Sequence, residues 1–207
     1  MKYTNRFNAY IPEPGIVEGL LFIPDISGFT QLVHSTDTAT GKIITSELLT
    51  AIISRNQLKL DISEVEGDAV LFYRYGVAPS FQQLMLQFKK METAFTKKRK
   101  ELEKRFALTI EVSLKVIAHY GQMTEYRVGP FTKLYGEVVV EAHRLLKNAV
   151  QSNSYLLLSD SLYSKMAVSD NKIPHRDFSS ARQCETYRSL QQLCFTCFDF
   201  TTEQKAA

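Results

Sequence analysis

The chain opens its ordered pattern with Leu20-Leu21-Phe22-Ile23-Pro24-Asp25-Ile26, an apolar run that ends on a carboxylate and is followed by Ser27-Gly28-Phe29-Thr30. A continuous apolar run of this length predicts a buried strand over about 16–26, which delivers Asp25 to the rim of a sheet. From Thr38 to Asn56, Ile43, Ile44, Leu48, Leu49, Ala51, Ile52 and Ile53 recur at helical spacing. Two strand-like runs follow, about 59–66 and 69–75, joined at Gly67-Asp68 by a tight reversal. Pro79 opens a long helix to about Arg105, with Phe81, Leu84, Met85, Phe88, Met91, Phe95, Leu102 and Phe106 on one stripe. Leu108 to His119 alternates apolar and polar residues, the period of a half-buried strand that Gly121 is expected to end. Short strands over Met123–Val128 and Phe131–Tyr135, a helix over Glu137–Asn148, a strand over Ser154–Leu158 and a short helix from Ser159 complete the regular part.

That order makes the expected fold an α+β, ferredoxin-like sandwich: a mixed, mostly antiparallel sheet with helices packed on it. Residues 1–15 read as a lead-in strand or loop. Beyond Val168 the sequence is irregular and polar until Leu193 to Phe200, a strand-like close to an extension of the same domain.

Composition changes this picture little. A hydrophobic content of 44% over 207 residues supports one globular domain, 1–207. No apolar run reaches the ~20 residues of a membrane helix. The first residues lack the apolar block of a secretory signal, so the expectation is a cytoplasmic protein without a membrane partner. Twenty-five basic against 22 acidic residues is too slight an excess to indicate a nucleic-acid partner. The run Lys97-Lys98-Arg99-Lys100 reads as a solvated helix face, interrupted by Glu101 and Glu103. Cys184, Cys194 and Cys197 are expected to be reduced, and His34, His119, His143 and His175, which lack ligand spacing, to be structural.

The candidate chemistry lies in Asp25 and Asp68. If their strands are neighbours, a spacing of about 4.8 Å brings the carboxylates close enough to share Mg²⁺ or Mn²⁺. Backbone N–H groups at the Gly28-Phe29-Thr30 turn would face a phosphate. Both aspartates also suit a plainer role, Asp25 as a turn former or cap and Asp68 as a hairpin residue.

Three segments together, Asp25-Ile26-Ser27-Gly28-Phe29-Thr30, Glu66-Gly67-Asp68-Ala69-Val70 and Leu134-Tyr135-Gly136-Glu137-Val138-Val139-Val140-Glu141-Ala142-His143-Arg144-Leu145, resemble in order and spacing the signature segments of class III adenylyl and guanylyl cyclase catalytic domains. The wider pattern is similar to a bacterial family of cyclase-homology domains of unassigned function. The resemblance spans about residues 17–165, with 166–207 as a C-terminal extension. It implies that Asp25, the Ile26 carbonyl and Asp68 hold two Mg²⁺ or Mn²⁺ ions, that Gly28, Phe29 and Thr30 meet the phosphates of a nucleoside triphosphate, and that Arg144 serves the transition state. It further implies a homodimer, because such sites form between two domains.

Departures accompany the matches. Val140 stands where the family carries its transition-state asparagine, a loss of one donor worth about 10²–10³ in rate. Glu64 and Lys133 occupy the base-selecting positions with charges opposite to those of adenylyl cyclases. Two accounts stand side by side: Glu64 accepts N1–H and N2–H of guanine while Lys133 donates to O6, so that the site takes GTP, or the two residues pair with each other and close the pocket. Arg144 has an alternative as a helix surface residue paired with Glu141 or Glu137. The functional expectation is a catalytically degenerate cyclase-like domain that keeps a metal–nucleotide site in a regulatory or dimerising role. The alternatives are an active cyclase on GTP and a vestigial, non-binding scaffold.

Overall fold

A computed structural model describes residues 15–166, 179–187 and 192–200. Its elements run in chain order as β1 (Val17–Ser27), α1 (Phe29–Ser35), α2 (Thr38–Ile53), β2 (Asp61–Glu66), β3 (Ala69–Tyr75), α3 (Phe81–Phe106), β4 (Ser113–Val128), β5 (Phe131–Tyr135), α4 (Glu137–Leu145), β6 (Tyr155–Ser159), α5 (Asp160–Lys165), β7 (Ser179–Thr186) and β8 (Gln192–Asp199). The strands form one mixed sheet in the order β2-β3-β1-β4-β6-β8-β7, with β5 paired to β4. The β4–β6 pair is parallel and the remaining neighbours are antiparallel, as the α+β reading expects.

The buried apolar run of β1 becomes intelligible from its neighbours. β1 lies between β3 and β4, and helices pack on both of its faces, so alternation gives way to continuous hydrophobicity. Leu20, Phe22 and Ile26 join Ile44 and Leu48 of α2, Phe88, Met91 and Phe95 of α3, and Leu162 of α5. Leu21 and Ile23 point the other way, into a core with Ile117, Val138, Ala142 and Leu145. Leu32 of α1 joins the first core as well, so α1, α2, α3 and α5 share one face and α4 lies on the other.

Local chemistry sets the helix ends. Asp37 caps α2 by accepting from the Ala39 and Thr40 N–H groups, each at 3.0 Å. Ser80 and Gln83 form a reciprocal capping box at the start of α3. The basic run of α3 pairs with acidic neighbours: Lys98 with Glu47 of α2 and with Glu101, and Arg99 with Glu103.

The structure corrects three expectations. The strand expected over Leu108–His119 starts later, at Ser113, and runs through Gly121 to Val128. Gly121 admits a close approach instead of ending the strand, since a Cβ there would stand 3.1 Å from the Val138 side chain of α4. The polar stretch after Val168 contains β7, an edge strand whose side chains are almost all exposed and so carry no apolar alternation to reveal it. The cysteines are not all reduced: Cys184 and Cys194 face each other in the β7–β8 register and form a disulfide, leaving Cys197 free and buried. Cys194 and Cys197 are three residues apart on one strand and hence on opposite faces. The reading of residues 1–14 and of His175 falls outside the described residues.

Candidate functional site

Asp25 is the last residue in the row Leu21, Ile23, Asp25, so the parity of β1 places its side chain on the α4 face, at the end of the sheet. Its register partners are Ala69 on β3 and Lys115 on β4. Asp68 occupies the β2–β3 turn beside Gly67, whose φ of +61° lies in the left-handed region. The Asp68 carbonyl accepts a hydrogen bond from the Ile26 N–H at 3.2 Å, which clamps the hairpin turn to the end of β1. Asp68 thus lies beside the end of β1 that carries Asp25 and Ile26.

The electrostatics register this proximity. The Asp68 carboxyl is pushed above its ordinary value, first by burial and then by the charge of Asp25; its own backbone, Lys115 and Lys147 act in the opposite direction. Asp25 is itself occupied. Its Oδ1 lies 3.3 Å from Lys115 Nζ, with both side chains mostly buried, and the same ammonium donates to the Leu146 carbonyl at 3.4 Å. Among the described residues no three His, Cys, Asp or Glu side chains gather as a ligand set. An ion here would therefore complete its shell from the Ile26 carbonyl, water and phosphate, the ligand mix that hard divalent cations accept. On donor chemistry the residues fit such an ion.

Gly28 follows with φ +85°, and a Cβ at this position would meet the Glu111 carbonyl oxygen at 2.5 Å. Only glycine makes this turn without strain. Phe29 and Thr30 then open α1, which has no side-chain cap.

The remaining candidates form a separate group. Glu64 on β2 and Lys133 on β5 make a charge-assisted hydrogen bond, which raises the proton affinity of Lys133. Of the two accounts of this inverted pair, the ion pair is the arrangement present. Val140 and Arg144 lie one turn apart on exposed positions of α4. Arg144 makes no ion pair with a described residue. Its alternative partner Glu141 is engaged by His119, at 2.8 Å from Nε2, and the Glu141 carboxylate is held below its ordinary value by that contact.

Several residues of this face are not evident from the sequence. Lys115 is one; its parity within the alternating run was legible, but the register that sets it against Asp25 was not. His119 is another: it is 2% exposed, and its second nitrogen lies 3.2 Å from the Ser161 hydroxyl, so it ties α4 and α5 to β4. Tyr73 and Tyr75 both donate to Glu125 at 3.1 Å, and burial leads the causes that push Tyr73 up to about 12.

Comparison with solved structures places this fold. The guanylyl cyclase Cya2 aligns with a TM-score of 0.67 at 11% identity, over 90% of this chain and 93% of that one. The adenylyl cyclase CyaB from P. aeruginosa aligns at 0.62 and 17%, over 91% and 96%. The guanylate cyclase domain of RhGC from Catenaria anguillulae, in complex with GTP, aligns at 0.60 and 16%, over 89% and 97%. The chain has the fold of class III nucleotide cyclase catalytic domains. In sequence it is 27% identical over 125 residues to the uncharacterized protein Rv2561/Rv2562 of Mycobacterium tuberculosis, a match that spans 56% of this chain and 57% of that relative's length. Residues 45–155, more than half of the chain and the part that carries Glu64, Asp68, Lys115, Lys133 and Arg144, match the family described as "Protein of unknown function (DUF2652)", and the chain belongs to that family.

Proposed function

We propose that this protein is a cyclase-homology domain that binds a nucleoside triphosphate through a divalent cation at Asp25 and Asp68, with weakened catalysis and a regulatory or dimerising role. The observation that carries the reading is the Ile26–Asp68 backbone clamp, which ties the turn of Asp68 to the strand end that bears Asp25, near enough for the charge of Asp25 to act on the Asp68 carboxyl. Asp25, Asp68 and the Ile26 carbonyl would hold Mg²⁺ or Mn²⁺. Bound there, the ion would neutralise phosphate charge and acidify an attacking hydroxyl. The chain's own contribution is positional: the Gly28 turn aims the start of α1 at the same end of the sheet, which suits phosphate oxygens near Phe29 and Thr30.

Val140 cannot donate a hydrogen bond to a developing charge, and this is why the reading stops short of an efficient cyclase. Arg144 projects from α4 without a described partner, as expected of a residue that serves a site in a second copy. The exposed apolar residues Tyr126, Val128, Phe131 and Tyr135 of the β4–β5 hairpin support a homodimer. A sedimentation experiment that finds only monomer at high concentration would count against a shared site.

A second reading, a vestigial scaffold, is favoured by the Glu64–Lys133 pair, which satisfies both base-reading positions internally. Calorimetric titration with non-hydrolysable GTP and ATP analogues, with and without Mn²⁺, separates the two. Binding that requires Mn²⁺ and disappears in Asp25→Asn supports the metal–nucleotide site; no binding of either analogue supports the scaffold. Cyclic nucleotide formation with Mn²⁺ would replace both with a working cyclase.

A further inference from the structure

The aspartate pair already has a cation of its own. Lys115 sits on β4 opposite Asp25 in register, a position fixed by the ladder from Val17↔Met123 to Ser27↔Ser113 that joins two central strands. Its parity with Ile117 puts the side chain on the α4 face, and its ammonium is held between Asp25 Oδ1 at 3.3 Å and the Leu146 carbonyl at 3.4 Å. The Lys115 side chain is 20% exposed and that of Asp25 16% exposed, so the pair is only weakly screened by water. Asp68 and Lys147 are the other charged groups that act on this corner.

We propose that Lys115 is a tethered cation filling one of the cation positions of the Asp25–Asp68 site, so that the site takes one divalent ion, weakly, where an unobstructed aspartate pair would take two. This inference rests on the metal site proposed above. A divalent ion that approaches Asp25 must displace the ammonium or share the carboxylate with it. Displacement is opposed because the ammonium would leave both Asp25 and the Leu146 carbonyl for water. Sharing places like charges a few ångströms apart. Lys115 thereby lowers the site's charge requirement from within, and metal occupancy responds to whatever draws Lys115 away, a triphosphate among them.

The test is a Mn²⁺ titration, followed by calorimetry and by the electron paramagnetic resonance of free Mn²⁺, on the full chain and on Lys115→Met, Lys115→Gln, Lys115→Arg and Asp25→Asn. A unit charge within about 4–6 Å shifts an ionisation by one to three decades. Loss of the ammonium should therefore tighten Mn²⁺ by about tenfold or more in Met and Gln and raise the stoichiometry toward two. Arg, which keeps the charge, should stay within about threefold of the parent. Unchanged or weaker binding in both neutral variants, with Asp25→Asn still abolishing it, overturns the role of Lys115 and leaves the aspartate site standing. Equal binding in the parent and Asp25→Asn, or none in any protein, overturns both the site and the inference. Circular dichroism of each variant checks that it folds, and Gln decides where Met fails to.

Discussion

Gln87 is a fully buried polar side chain in the second turn of α3, and it holds the loop that delivers β2. Its Oε1 accepts from the Gln57 and Leu58 N–H groups at 2.8 and 2.9 Å, and its Nε2 donates to the Arg55 carbonyl at 2.7 Å. In Gln87→Met, close in volume but without these groups, the Leu58 N–H loses its partner, while the Gln57 N–H and the Arg55 carbonyl keep the 2.9 Å bond between them. An orphaned buried group costs about 1–3 kcal/mol, but Arg55 and Gln57 are exposed, so water can recover part of the loss. The expected destabilisation is about 1–3 kcal/mol, or a fall of roughly 2–12 °C in Tm for a chain of this size. Urea unfolding followed by circular dichroism, with an unchanged m-value, measures it. A loss below ~1 kcal/mol would show that the loop is satisfied without Gln87 and that the hydrogen-bond accounting is wrong.

Three further predictions concern the site and its supports. Asp68→Asn removes a carboxylate disfavoured by burial and by Asp25, so thermal denaturation should show a small gain in Tm, reduced by solvent screening at this half-exposed position, while on the proposed reading Mn²⁺ binding is lost; a less stable variant refutes the repulsion. Glu141 titrates below its ordinary value of 4.5 because of His119, so its contribution is complete above that value and fades as pH falls through the lower folded one; stability curves of Glu141→Gln and the parent should converge at the acid end, and parallel curves would deny the linkage. Gly28→Ala forces a side chain into a left-handed backbone against the Glu111 carbonyl, at a cost of at least about 1–2 kcal/mol; wild-type stability in the same melt would mean that the turn is not under this constraint.

Much of the fold was legible because single positions carried its signals. The apolar run of β1, the helical stripe of α3 and the Gly67 reversal each follow from local pattern, and each appears within a few residues of its expected bounds. Where the reading slipped, the pattern served a tertiary purpose: Gly121 reads as a stop, yet it is the gap into which Val138 fits. Edge strand β7 offered no pattern at all, since neither of its faces is buried.

The site divides the same way. By itself the sequence determined which carboxylates end a strand and occupy a turn, and that Glu64 and Lys133 stand with inverted charge where the resemblance to cyclases expects base-reading residues. Tertiary structure alone decided what those charges meet. Strand register set Lys115 against Asp25, and the packing of α4 gave Glu141 to His119 and left Arg144 exposed. Register and helix docking join residues tens of positions apart, and no local periodicity encodes such distances; they emerge only when both faces of β1 are buried at once.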